Sequence, residues 1–257
     1  MALQKLPFIS DENLCHAIEH VTDCLNDATQ FKESVIENVQ ENTIFKSSLF
    51  SNSIDPFAMT FGLELYGTEN WLQAEVSRQL YKTYEQKIGE FHQIILGSVD
   101  GWEDLGIGDE SKVDLYNREN SIYIELKNKH NTCNSDALAK VKDKLLDILK
   151  ESPNATAYWG YIIPNRVKRS GSEPWKKKGK IIHSNLYKAW GAEVYNIVTG
   201  EKDSLSKLYH VLPDEIGKRL VGKQTLTEIT KCITEECTSE LAKIRKSVFS
   251  HSLVKKM

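Results

Sequence analysis

Residues 113–131, Val-Asp-Leu-Tyr-Asn-Arg-Glu-Asn-Ser-Ile-Tyr-Ile-Glu-Leu-Lys-Asn-Lys-His-Asn, alternate apolar and polar side chains on both sides of a polar turn. A period of two is the pattern of a half-buried strand, and one buried face pins the register of a strand pair. The stretch therefore predicts an antiparallel hairpin against which the rest of the chain must pack. On its second strand Ile122, Ile124 and Leu126 take one face, and Tyr123, Glu125 and Lys127 take the other. With Glu119-Asn120 as a two-residue loop, Asp114 falls directly across from Glu125. Directly opposed residues have Cβ atoms about 4.5–5.5 Å apart. Two carboxylates at that spacing repel unless a cation lies between them, and a divalent metal meets that need. Lys127 adds a positive group two residues along the same face. Such a set suits metal-dependent hydrolysis of a phosphodiester.

The elements around the hairpin predict a mixed α/β sheet flanked by helices, with helical extensions at both ends. Ser10 is placed to cap a helix with Leu14, Ile18, Val21 and Leu25 on one face, continuing past Phe31 and Val35 to about Val39. Residues 42–60 are mixed and polar, and Asp55-Pro56 marks a turn. The longest helical pattern runs from about Asn70 to Leu96, with Leu80, Tyr84, Ile88, Phe91 and Ile95 as its stripe, and Gly97 stops it. Residues 97–108 hold four glycines but match no phosphate-binding spacing, so they read as a tight connection with room for a short strand. After the hairpin, Asn134 or Ser135 can cap a helix reaching Lys150, with Ala137, Val141, Leu145 and Leu149 in line. Ala155–Ile163 is aromatic and β-branched and predicts a strand ended by Pro164. Asn165–Lys180 reads as a loop, Asn185–Trp190 as a short helix, Val194–Val198 as a strand, and 204–220 and 225–250 as closing helices. The organisation expected is one domain: extension 1–69, core 70–200, and C-terminal helices 201–257.

Composition narrows the setting. The 257 residues carry a net charge of −3, yet residues 127–188 hold 14 Lys and Arg against 5 acids. A polyanion responds to local potential, so this basic third can bind one despite the acidic total. The competing reading is a lysine-rich solvated surface. No apolar run approaches a membrane span, no signal-peptide pattern opens the chain, and five cysteines lack Cys-x-x-Cys spacing. A cytoplasmic chain with reduced thiols and no membrane partner is expected.

Glu-x-Lys occurs three times, at Glu85–Lys87, Glu110–Lys112 and Glu125–Lys127. The first lies on a helix, where positions two apart face different directions. The second lies in the glycine-bounded loop. Only the third combines strand periodicity with an upstream Asp in the partner strand. Against it stands a solvent-facing ladder of salt bridges at Asp114, Glu125 and Lys127. The next residues, Asn128, Lys129, His130 and Asn131, are rich in hydrogen-bonding groups suited to phosphate and sugar. His16, His20 and Cys24 recur every four residues but lack a fourth ligand, so they read as half-buried boundary residues rather than a zinc site.

Asp114 followed by Glu125-Leu126-Lys127 on the next strand, then a helix and a strand, resembles the PD-(D/E)XK nuclease superfamily. Val113 stands where the proline of that motif often lies. The string Glu-Leu-Lys-Asn-Lys-His-Asn-Thr, with the upstream Gly89-Glu90-Phe91-His92-Gln93, is more narrowly similar to type II restriction endonucleases that cut palindromes of the GGNCC or GGWCC kind. The resemblance spans about residues 80–200. It implies a restriction-endonuclease-like fold and a Mg²⁺-dependent, site-specific cut in double-stranded DNA that leaves 5′-phosphate and 3′-hydroxyl ends. Asp114, Glu125 and the Leu126 carbonyl would hold the metal, with Glu90 as a candidate further ligand, and Lys127 would orient or deprotonate the attacking water. Arg166 and Arg169 are candidates to read guanine, and Lys168, Lys176, Lys177 and Lys178 to meet phosphates. A palindrome implies a two-fold homodimer, with the C-terminal helices as candidate contact. A cognate DNA methyltransferase is expected as a functional counterpart without a stable complex. The alternatives are a repair or recombination nuclease without a short site, and a non-catalytic DNA-binding protein.

Overall fold

In the computed structural model, residues 4–51, 54–106, 113–241 and 243 are described. The chain divides into two compact units, one of residues 1–21 with 88–219, the other of 22–87 with 220–257. Helix α1 (Asp11–Thr22) starts where Ser10 Oγ accepts the Asn13 N–H at 3.1 Å. The single helix expected to Val39 breaks at Asp23, and α2 (Cys24–Gln40) follows. The physical reason is that each half serves a different core. Leu14, Ala17 and Ile18 bury in the first unit, Ala28 and Val35 in the second. After a 3-10 turn (Ile44–Lys46) come α3 (Ser48–Ser51) and α4 (Pro56–Tyr66). Asp55-Pro56 is thus a helix start rather than a simple turn. The Asp55 carboxylate accepts the N–H groups of Phe57 and Ala58, and Pro56 supplies the preset φ of a first helical residue.

Helix α5 (Thr68–Gly97) runs through both units; its Leu72, Val76 and Leu80 join the second core, and its Phe91, Ile95 and Leu96 the first. Gly97 is its last residue and leaves no room for a side chain: a Cβ there would lie 2.6 Å from Asp104 Cβ and 2.8 Å from Asp104 N. Strand β1 (Trp102–Asp104) lies against that point, and β2 (Leu115–Asn117) and β3 (Ile122–Lys129) complete an antiparallel meander. The register pairs Leu115 with Ile124 and Tyr116 with Tyr123, so one step further Asp114 faces Glu125 as the sequence pattern requires. The turn is wider than two residues. Asn117 pairs with Ile122, Asn117 Oδ1 accepts the Asn120 N–H at 2.9 Å, and Ser121 adopts φ 50°.

Helix α6 (Ser135–Glu151), capped by Asn134, leads into β4 (Thr156–Ile163), parallel to β3. The expected loop after Pro164 contains strand structure: β5 (Gly171–Pro174) and a small hairpin, β6 (Lys176–Lys177) with β7 (Lys180–Ile181). Next come β8 (Leu186–Trp190), α7 (Ala192–Thr199), α8 (Ser204–Leu220) and α9 (Leu226–Thr238). The main sheet has six strands in the order β1-β2-β3-β4-β8-β5, with β3, β4 and β8 mutually parallel.

Two local expectations reverse. Residues 186–190 form a strand, not a helix, because they pair on both sides, with β4 and with β5. Residues 194–198 form a helix, not a strand, despite their β-branched content. Val194, Tyr195 and Val198 share a helical face and bury it in the first unit's core. Burial overrides intrinsic propensity in both places.

The sheet separates two apolar layers in the first unit. On one face Leu115, Ile124, Leu126, Ile162 and Ala189 pack with α1, the end of α5, α7 and α8. On the other, Val113, Ala157, Trp159, Tyr161, Leu186 and Trp190 pack with Val141, Leu145, Ile148 and Leu149 of α6 and with Trp175. Among the described residues no helix is long and apolar enough to cross a membrane, and all five cysteines are free thiols.

His92 and Tyr195 join α5 to α7 within the first layer, with Nδ1 and the hydroxyl 2.8 Å apart. Burial drives the His92 pKa down from 6.5 to about 4 and pushes the Tyr195 hydroxyl up. A histidine that must stay neutral when folded contributes its stability above the unfolded pKa near 6.5. That contribution is lost as pH falls towards about 4, and a shift of that size corresponds to at most about 3 kcal/mol. The urea midpoint should therefore drop between pH 7 and pH 4, and His92→Gln should flatten the drop. An unchanged pH profile in that variant would refute the role.

Candidate active site

Glu125 has only 5% of its surface exposed, an unusual place for a carboxylate, and its neighbours explain how it is tolerated. Lys127 Nζ lies 2.7 Å from Glu125 Oε1, and Lys144 Nζ of α6 binds Glu125 Oε2. Asp114 sits one residue before β2. Its Oδ2 accepts the Leu126 backbone N–H at 2.6 Å and lies 3.5 Å from Lys127 Nζ. Lys127 Nζ also donates to the Leu126 carbonyl at 2.9 Å. The solvent-facing ladder is thus excluded by burial: the face carrying Glu125 is covered by α6. The three residues predicted from the hairpin converge as the register requires.

Lys144 is not singled out by the sequence reading, although the sequence carries a signal for it. It falls at the helical spacing of Val141, Leu145 and Ile148, so a lysine interrupts the buried stripe of α6. A charge in that position needs a buried partner, and the preceding strand offers Glu125.

Burial raises the Asp114 pKa, and the nearby negative charge of Glu125 raises it further, against the pull of Lys127 and the Leu126 N–H. For Lys127, burial works downward, but Asp114 and Glu125 together outweigh it and leave the ammonium above its ordinary range. Two partly desolvated carboxylates and a backbone carbonyl form a hard-oxygen donor set suited to a divalent cation such as Mg²⁺. The cost of ionising both carboxylates together is what such a cation removes. Among the described residues no three His, Cys, Asp or Glu side chains form a ready-made metal site. The fit therefore needs the Leu126 carbonyl and water or substrate oxygens as well.

Glu90 is placed elsewhere. Its Oε2 lies 2.6 Å from His20 Nε2, on a helix whose Phe91 and Ile95 pack on the sheet face opposite Glu125. His20 therefore has a carboxylate partner, and the break at Asp23 interrupts the four-residue series of His16, His20 and Cys24. The triplet Glu110–Lys112 lies outside the described residues.

The groups expected to meet DNA divide between two ends of the sheet. Because β3 and β4 are parallel, Asn128–Asn131 and Asn165–Arg169 leave the sheet at the same end, with the His130 N–H bonded to the Ile163 carbonyl at 3.0 Å. The carboxyl end of parallel strands is where α/β sheets commonly hold ligands. Arg166 and Arg169 are exposed there, while Asn128 Oδ1 and His130 Nδ1 are buried without a hydrogen-bond partner. Lys168 is engaged by Glu173 at 3.0 Å and lies 4.3 Å from the Trp190 ring centroid. Strand β5 then runs antiparallel to β8, away from that end. Lys176, Lys177 and Lys178 lie on the small hairpin beyond it, roughly 15 Å along the chain from Gly171 by strand rise.

A mixed sheet with an Asp at the start of one strand and Glu-x-Lys on the next is the layout of a PD-(D/E)XK nuclease. Comparison with known proteins agrees and is more specific. The Eco47II restriction endonuclease family matches residues 6–221. The type II restriction enzyme Sau96I of Staphylococcus aureus is 31% identical over 223 residues, covering 83% of this chain and 80% of that protein. The type II restriction enzyme Eco47II of Escherichia coli is 36% identical over 223 residues, covering 82% and 86%. The chain belongs to the Eco47II restriction endonuclease family. These relatives lend no support to the repair-nuclease or non-catalytic alternatives.

The raised pKa of Asp114 has a measurable consequence. Its ionisation costs more in the folded than in the unfolded protein, so stability is fullest at low pH and falls as pH rises through the carboxyl's folded value. In metal-free protein at neutral pH, Asp114→Asn should raise the melting temperature, by about 2–4 °C for each kcal/mol recovered. Thermal unfolding in EDTA between pH 4 and pH 7 checks this, and a lower melting temperature would contradict it.

Proposed function

We propose that the chain is a type II restriction endonuclease whose Asp114, Glu125 and Lys127 hydrolyse both strands of a short palindrome in double-stranded DNA. The observation that carries this reading is the convergence of Asp114, Glu125 and Lys127 around the Leu126 peptide, with Glu125 buried. The resemblance of its Glu-Leu-Lys-Asn-Lys-His-Asn-Thr string supports a site of the GGNCC or GGWCC kind. Mg²⁺ is the proposed metal, held by Asp114, Glu125 and the Leu126 carbonyl, and Glu90 is left to its His20 partner. A divalent cation there supplies Lewis-acid stabilisation of charge on the scissile phosphate.

Lys127, within reach of Asp114, Glu125 and the Leu126 carbonyl, is placed to orient or deprotonate the attacking water. Cleavage leaves a 5′-phosphate and a 3′-hydroxyl. Arg166 and Arg169, at the same sheet end as Asn128–Asn131, are proposed for base contacts, and Lys129 for phosphate. Lys168 serves chiefly to order β5 through Glu173. Lys176, Lys177 and Lys178 add a more distant basic surface. Cutting both strands of a palindrome calls for a two-fold homodimer, and restriction calls for a separate DNA methyltransferase that protects the same site.

Digestion of a defined plasmid with Mg²⁺ should give discrete bands, no cutting in EDTA, and ends that sequence as 5′-phosphates. Lys127→Ala should slow cleavage by about 10²–10⁴-fold while binding to the same DNA persists. Smears instead of bands, or full cleavage by Lys127→Ala, would overturn the reading.

A further inference from the structure

The site holds a second lysine that the proposed chemistry does not use. Lys144 projects from α6 onto Glu125 Oε2, the oxygen not taken by Lys127. Without metal the four groups balance, two carboxylates against two ammonium groups. A divalent cation that binds both carboxylates must take Glu125 from one of its lysines. Lys127 is tied to the site from its own strand, through Asp114 Oδ2 and the Leu126 carbonyl as well as Glu125. Lys144 comes from a different element, α6, and reaches Glu125 with a side chain about one-fifth exposed.

Building on the reading of Asp114 and Glu125 as metal ligands, we propose that Lys144 is a positioning residue that competes with the metal for Glu125. It holds the buried carboxylate in place in the resting enzyme and gives it up when a cation enters. The competition makes metal uptake weak in the absence of DNA. An arriving phosphate offers the displaced ammonium a new negative partner, which couples metal binding to substrate binding. Off the DNA, the site is therefore kept from filling with metal.

The test is Mn²⁺ binding to the full chain without DNA, read from the free-Mn²⁺ signal by electron paramagnetic resonance, together with thermal unfolding in EDTA. Lys144→Met removes the competing charge, so Mn²⁺ should bind at least about tenfold tighter, the equivalent of one pKa unit of interaction. The same variant should melt lower in EDTA, because Glu125 loses a buried partner. Lys144→Arg should return both readings towards wild type. Lys144→Gln keeps a hydrogen bond but no charge and should also bind Mn²⁺ more tightly, which serves if the Met variant does not fold. A purely structural salt bridge would lower the melting temperature without tightening Mn²⁺ binding. Unchanged or weaker binding in the folded Met or Gln variant, with Asp114→Ala still abolishing binding, would overturn the competition and leave the nuclease reading intact. Binding unaffected by Asp114→Ala would instead sink the ligand assignment itself.

Discussion

One buried carboxylate sets the terms for the rest of the first unit. Glu125 sits on a central strand under α6, where an unpaired charge would cost several kcal/mol. Its tolerance depends on Lys127 two residues along the same strand and on Lys144 from the helix above. Asp114 adds a second carboxylate one strand away, fixed by the Leu126 N–H, so that two carboxylates face the two lysines. The Asp114 and Lys127 pKa values both shift upward: the acid resists ionising, and the base holds its proton.

The sheet delivers that arrangement by keeping its two faces different. One face is a dry layer in which Ile124 and Leu126 meet α1, α5 and α7. The other mixes the apolar side chains of α6 with Trp159, Tyr161 and Trp190, and it carries the charged row. In register, Glu125 is followed across the sheet by Trp159, Lys188 and Glu173, and Lys127 by Tyr161, Trp190 and Gly171. The aromatic rows separate the carboxylate pair from the basic edge. Lys188, whose pKa burial lowers, lies over the Trp159 and Trp175 rings at 5.4 and 5.1 Å, so even the edge cations are ordered against indole faces.

Much of this was readable before any coordinates. Alternation at 122–127 placed Glu125 and Lys127 on one face, and the polar turn set Asp114 opposite, even though the turn itself is longer than two residues. Helices α5 and α6 and the strand at 156–163 follow strong periodic patterns, and α6 carries a recognisable cap at Asn134. The reversals fall at short segments. Leu186–Trp190 and Ala192–Thr199 are too short for periodicity to separate strand from helix, and their partners lie far away in the chain. The basic stretch after Pro164 read as one patch because charge counting ignores direction, whereas β5 carries its second half away from its first.

The sequence alone thus determined the local chemistry: which residues share a face, which carboxylates oppose one another, and where positive charge accumulates. These are set by the two-residue period of a strand and the side-chain types along it. Only the tertiary structure decided what covers that face. Packing of α6 turns an exposed-looking ladder into a buried cluster and brings in Lys144 from nineteen residues downstream of Glu125, while α1 pairs its His20 with Glu90 of α5. The physical reason is that burial and pairing of charge depend on neighbours across space, which a one-dimensional pattern does not contain.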